Sequence, residues 1–354
     1  MNVHETTWRP SLPPLAETAA GATRRIGVEI ELIGLDVAEV AALVAEELRG
    51  DVVARGDYEH EVHGDADGVW AVELDSQQVK RLSRARDAAA EASDDPSDPE
   101  GAAPEGAVRE AIARIEAAAE SLFLRGAEAV VPVEVVSPPL PLPRLADVER
   151  LIARLREAGA KGTGAGLTYA FGIQLNPEMP RLDAPTITRY LQAFLCLYDW
   201  LLGRSAIDPT RRLTGYSAGF PAAYVRRVVD PSYAPELAAL IDDYLADNPT
   251  RNRALDLLPL FIHLDRDRVR AVVDDPRVKP RPTLHYRLPN SEIDDPRWGV
   301  HVAWNDWLEV ERLAADPPRL RQLCARYSER LARPLGGLLS DWGEEVKPWL
   351  SEGR

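Results

Sequence analysis

The nine residues R-I-G-V-E-I-E-L-I, Arg25 to Ile33, decide how this chain is read. Ile26, Val28, Ile30 and Leu32 alternate with Gly27, Glu29 and Glu31, the period-two pattern of a strand with one apolar face. Glu29 and Glu31 project from the opposite face, with Cα atoms roughly 6–7 Å apart at the rise of a strand. Two adjacent carboxylates repel, so that face is either flooded with water or holds cations. Taken alone, the strand favours the solvated reading. Four further segments change the balance.

Trp70, Val72 and Leu74 alternate with Glu73 and Asp75, and Val131, Val133 and Val135 alternate with Glu134. Phe171, Ile173 and Leu175 alternate with Gly172, Gln174 and Asn176; Leu284, Tyr286 and Leu288 alternate with Thr283, His285 and Arg287. A solvated outer face mixes Lys, Thr, Ser and Arg. These polar positions are mainly Glu, Asp, Gln, Asn and His, which are donors to a metal. If the five strands share one sheet, their carboxylates face one cavity and need cations. Hard oxygen ligands favour Mg²⁺ or Mn²⁺ over zinc, and such ions suit phosphoryl chemistry on a nucleotide.

Composition sets the class. The 354 residues are 45% hydrophobic and 28% charged, which reads as globular and soluble. A net charge of −15 argues against a nucleic-acid binder and against docking on anionic membranes. Cys196 and Cys324 lie far apart, imply no disulfide framework, and read as buried thiols in a reducing cytoplasm. No signal peptide or membrane span is recognisable, so a cytoplasmic location is expected.

Along the chain, residues 1–23 read as an N-terminal extension, either an extended arm or a loose tail. Residues 24–354 read as one domain. Helices are expected over 35–48, 144–158, 183–202, 235–246, around 254–273 and through 303–349, with helix-like sequence over 77–125. That last stretch is interrupted by an acidic, Pro- and Gly-rich insert at about 92–106, expected to be a mobile loop. Residues 206–233 read as irregular, and Pro280 to Pro289 as the last strand. Strands dispersed among helices, with antiparallel turns early on, make an α+β class.

Other features read as ordinary structure. His60 and His63 face opposite ways on a strand, and His263 reads as a core residue. Gly162, Gly164 and Gly166 read as a turn, since no G-K-[ST] follows. Ser76 and Ser137 lack a nucleophile context. Trp298, Trp304 and Trp307 read as core. Arg211, Arg212, Arg226 and Arg227 either bind a phosphate or carboxylate or sit in a solvated loop.

The segments G-V-E-I-E-L at 27–32, V-E-L-D-S at 72–76, V-E-V-V-S-P-P-L at 133–140 and Y-R-L-P-N at 286–290 resemble the amidoligase family of the glutamine synthetase and glutamate–cysteine ligase superfold. The resemblance runs from about Arg25 to the helices after Trp304. It implies a curved, mainly antiparallel sheet with helices on its convex face. It also implies ATP and divalent metals on the concave face, and ATP-dependent joining of a carboxylate to an amine through an acyl phosphate. In that scheme Glu29 and Glu31 serve different metal ions, Glu134 and Glu73 or Asp75 supply further acids, and Gln174, with Asn176 nearby, faces metal or nucleotide. Arg287 stabilises charge on the transferring phosphoryl group. Two departures stand out: Q-L-N replaces an H-x-H in the fourth strand, and His285 stands where relatives carry Glu. A neutral histidine can still ligate a metal but brings no negative charge. These departures keep a non-catalytic nucleotide- or partner-binding relative in view, beside a glutamate–cysteine-ligase-like or guanidino-phosphotransfer enzyme. The substrates implied are a small carboxylate and an amine, or a peptide.

Overall fold

The structure, a computed structural model, describes residues 8–56, 58–74, 131–163, 171–205, 219–333 and 341–351. The decisive strand is β1, Arg25–Leu32, and it lies inside the sheet rather than at an edge. β2 (Asp51–Gly56) and β3 (Glu59–His63) form a bulged hairpin, followed by β4 (Trp70–Leu74), β5 (Val133–Val136) and the short β6 (Leu140–Pro141). β7 (Ile173–Pro177), β8 (Leu255–Asp256) and β9 (His285–Tyr286) complete nine strands in the order β2-β3-β4-β5-β1-β7-β9-β8, with β6 paired to the start of β1. Every strand pairing is antiparallel. The described residues thus form an open antiparallel sheet with ten α-helices, an α+β protein.

The alternation read from sequence sets the two faces. Ile26, Val28, Ile30 and Leu32 are buried with Trp70, Val72, Val133, Val135, Ile173 and Leu175, and helices cover them. α1 (Val37–Leu48) packs on β2 to β5 and starts at a capping box between Asp36 and Glu39. α2 (Leu145–Glu157) packs beside α1 and carries the expected stripe of Leu145, Val148, Leu151, Ile152 and Leu155. The long α3 (Ala184–Arg204) begins at the Asp183 cap with Pro185 in its first turn, a placement that sacrifices no hydrogen bond. α8 (Val300–Ala314) bridges β7, α2 and α3, and buries Trp304 and Trp307.

Several expectations are corrected. The run 254–273 is not all helix: β8 comes first, then α6 (Leu258–Leu264) and α7 (Arg266–Arg270). His263 is exposed rather than core, because a seven-residue helix turns only one narrow face inward. The irregular stretch holds α4 (Ala222–Val228), whose Arg226 and Arg227 are exposed, with Arg227 paired to Asp243 and Asp247. The last strand is shorter than Pro280 to Pro289 and continues only as isolated bridges at Thr283 and Asn290. α5 (Leu237–Asp247) is as expected, and 303–349 divides into the rest of α8, α9 (Pro317–Ala332), α10 (Trp342–Val346) and a final 3₁₀ turn. Residues 8–23 form an arm: Trp8 packs on His301, and the Ser11 carbonyl accepts the Trp304 indole at 3.0 Å. Cys196 and Cys324 meet across α3 and α9 as free buried thiols, Sγ to Sγ 3.7 Å. Asp75, Ser76, the helix-like 77–125 with its acidic insert, Gly164, Gly166, Arg211 and Arg212 lie outside the described residues. Among those described, no helix is long and apolar enough to cross a membrane.

Candidate functional site

The register turns separate alternations into rows across the polar face. Glu59 stands opposite Glu73, Glu73 opposite Glu134, and Glu134 opposite Glu31. Four carboxylates therefore cross β3, β4, β5 and β1 in a single row. Directly opposed side chains have Cβ atoms about 4.5–5.5 Å apart, and like charges so placed oppose pairing. The next row places Glu29 opposite Gln174. One row further, Gly27 is opposite Asn176, and a Cβ at 27 would stand 3.3 Å from the Asn176 amide nitrogen.

The loop after β5 holds these rows in register. Ser137 accepts the Val28 backbone N–H on its hydroxyl at 2.8 Å and donates to the Pro138 carbonyl at 2.9 Å. It is a structural hydroxyl, which agrees with its lack of a nucleophile context. The prolines that follow carry the chain past two residues of β1 before β6 pairs with Arg25 and Ile26.

Around Glu29 the side chains form one network. Its Oε1 accepts from the Gln174 and Asn176 amides, both at 2.8 Å. The same Gln174 nitrogen lies 2.8 Å from Asn176 Oδ1 and 3.0 Å from His285 Nδ1. Arg287 donates to Gln174 Oε1 and lies 3.3 Å from the carboxylate of Asp256. A guanidinium only donates, and Arg287 Nη2 lies 3.4 Å from His285 Nδ1, so that nitrogen accepts and the neutral ring carries its proton on Nε2. Burial, followed by the charges of Arg287, Arg251 and Arg281, pushes the His285 pKa well below its usual value. Burial raises the Asp256 carboxyl, and Arg287 and the Leu258 N–H oppose that shift. Glu31, 4% exposed, accepts the Gly172 N–H at 2.7 Å.

Glu29, Glu31, Glu134, Gln174 and Arg287 line a narrow recess of about 10 Å³, close to the room one water needs. Glu29 also forms part of a larger cavity of about 750 Å³ that runs toward the start of β1 and includes Asn176 and His285. Among the described residues no three His, Cys, Asp or Glu side chains are gathered closely enough to hold a metal ion. A family model described as "putative amidoligase enzyme" matches residues 22–309. The chain belongs to that amidoligase family. No curated protein and no solved structure matches it. The amidoligase match takes in all nine strands and ends within α8.

Of the residues singled out in sequence, Glu29, Glu31, Glu134, Gln174 and Arg287 meet at the amidoligase recess. Asn176 and His285 stand one row away, and Glu73 is placed beside Glu134 by register. Sequence reading passed over Asp256, which stands opposite His285 and pairs with Arg287. It also passed over Arg277, Lys279 and Arg281, which line the larger cavity. These three alternate with Val278, Pro280 and Pro282, and that period of two is the signal that would have found them.

Proposed function

We propose that this amidoligase-family chain is an ATP- and Mg²⁺-dependent carboxylate–amine ligase, with the polar sheet face as its site. The observation that carries the reading is the row of Glu59, Glu73, Glu134 and Glu31, adjoined by Arg287 and Gln174 in one recess. Opposed carboxylates favour a bound cation, and their hard oxygens match Mg²⁺ or Mn²⁺. Glu31, Glu73 and Glu134 are the residues that would hold it, since Glu29 is engaged by the Gln174 and Asn176 amides. A bound divalent ion supplies charge neutralisation for the nucleotide phosphates. His285, with its proton on Nε2, fits a hydrogen-bond donor to the substrate better than a ligand.

In this reading the substrate carboxylate attacks the γ-phosphorus, an O–P bond forms, and the bond to ADP breaks. The amine then attacks the acyl carbon as the C–O bond to phosphate breaks, leaving an amide, inorganic phosphate and a released proton. Arg287, fixed by Gln174 and Asp256, is positioned to offset charge on the transferring group.

The test is a thermal shift with ATP, with and without Mg²⁺, on wild type and Glu134→Gln, followed by ADP release across a panel of acids and amines. Native-state binding raises the melting temperature by mass action. A Mg²⁺-dependent shift lost in the variant supports the reading; an equal shift in both proteins removes the acid row from the nucleotide site. Q-L-N in place of an H-x-H, and His285 in place of Glu, favour a second reading, a non-catalytic binding relative. Nucleotide binding with no turnover across the panel would select it.

A further inference from the structure

The cavity that opens from Glu29 toward the start of β1 has walls of opposite charge. Arg251, Lys279 and Arg281 reach it from the chain between α5 and β9, and none of them forms an ion pair with a carboxylate among the described residues. In a chain of net charge −15, three such cations around one opening give it a local positive field that suits an anionic group. Across from them lie Glu29 on β1 and Glu178 just after β7. Thr283 and His285, alternate residues on the polar face, also line the cavity. Each has a buried polar atom without a partner, Oγ1 and Nε2 respectively. A buried donor or acceptor left unpaired costs about 1–3 kcal/mol, so such groups mark a place where another molecule completes the bonding.

A nucleotide's phosphates would satisfy the cations but meet repulsion from Glu29 and Glu178. An amino acid or peptide presents both signs at once. We propose that this cavity binds the amine substrate, and that this substrate is an amino acid or short peptide with a free amino group and at least two carboxylates. Arg251, Lys279 and Arg281 take the carboxylates, and the Nε2–H of His285 and the Thr283 hydroxyl supply neutral hydrogen bonds. Glu29 draws the ammonium group. Because Glu29 belongs to both the cavity and the recess, the amine then stands at the mouth of the place where an acyl phosphate would form. The word "substrate" rests on the ligase reading above; the binding chemistry does not.

The test is calorimetry without nucleotide or Mg²⁺, on wild type and on the double variant Lys279→Gln/Arg281→Gln. Both side chains are exposed, so the variant keeps its fold. The ligands are L-glutamyl-L-glutamate, L-aspartate, glutarate and L-alanine. The dipeptide and aspartate are expected to bind. Glutarate, without an amine, and alanine, with one carboxylate, should bind at least tenfold more weakly. The double variant should lose at least tenfold for the dipeptide while retaining wild-type ATP–Mg²⁺ binding. No binding of the acidic ligands, or equal binding of all four, overturns the proposal. So does loss of ATP–Mg²⁺ binding in the double variant, which would give these cations to the triphosphate. Dipeptide binding that survives alongside an intact nucleotide shift in Glu134→Gln would instead sink the ligase reading and leave this site standing.

Discussion

The two faces of the sheet each bury charge, and they treat it in opposite ways. On the helix side Arg24 and Glu311 are 1% and 0% exposed. Glu311 accepts from both Arg24 terminal nitrogens at 2.7 and 2.9 Å, from the Trp307 indole at 2.9 Å and from the Tyr190 hydroxyl. Arg24 gives two of its other three N–H donors to the Glu178 and Leu15 carbonyls. Four donors meet the four lone pairs of Glu311, and that carboxylate has nothing left for a ligand. On the polar face the Gln174 amide nitrogen has three acceptors for two hydrogens, and His285 and Thr283 retain unpaired atoms. Closed bonding marks a joint that holds the arm and α8 to the sheet. Open bonding leaves polar atoms on this face available to a ligand.

The largest effect should come from opening the closed network. Glu311→Leu leaves a buried guanidinium without its carboxylate, a change that costs about 3–5 kcal/mol. Chemical denaturation should show that loss; a near-wild-type midpoint would mean the joint is not structural. Next is Asp256→Ala, which removes the carboxylate beside Arg287 but leaves the Gln174 contact. A loss of about 1–3 kcal/mol is expected from removing a buried hydrogen bond between charged groups. Equal losses in the two variants would erase the distinction between the faces.

Glu134→Gln should behave in the reverse sense. It relieves like-charge opposition on both sides, from Glu73 and from Glu31, so stability should stay level or rise by up to about 1 kcal/mol. Nucleotide binding that depends on Mg²⁺ should fall in the same protein. A variant that unfolds more easily would place Glu134 among structural acids, with Glu311.

How much of this was legible in advance follows from the length of each pattern. β1, with four apolar residues on one side, shows its period without ambiguity, and α3 announces itself through Asp183 and Pro185. Glu29, Glu31, Glu134, Gln174 and Arg287 were found because each sits in an alternating run. Asp256 was missed because β8 has two residues, too few to display any period, and lies against a helix. The row that includes Glu59 depends on register between strands, which no single segment encodes. Arg277, Lys279 and Arg281 do alternate, but the prolines between them hide the period, and only Arg281 falls within the strand expected from Pro280. The meeting of Cys196 with Cys324 depends on how α9 packs against α3, a tertiary fact.

The smallest effect separates the faces by pH, through two histidines shifted in opposite directions. His301, at the start of α8, lies 2.8 Å through Nδ1 from Glu149, and that hydrogen bond raises its pKa despite partial burial. Below the unfolded value near 6.5 both states are protonated and the pair contributes fully; as pH climbs through the raised folded value the contribution is lost. His285 is lowered by burial and by Arg287, Arg251 and Arg281. Above about 6.5 both states are neutral and its environment costs nothing further, whereas at lower pH the unfolded chain takes up a proton that the folded site refuses. Stability should therefore fall on the alkaline side through His301 and on the acidic side through His285. His301→Gln should flatten the first limb by a few tenths of a kcal/mol, since its pair is partly screened by solvent. His285→Gln should flatten the second. Urea midpoints between pH 5.5 and 8.5 read both slopes. An acid limb unchanged in His285→Gln would mean that ring gains a proton on folding as easily as it does in water, and the polar face would be wetter and less enclosed than its contacts imply.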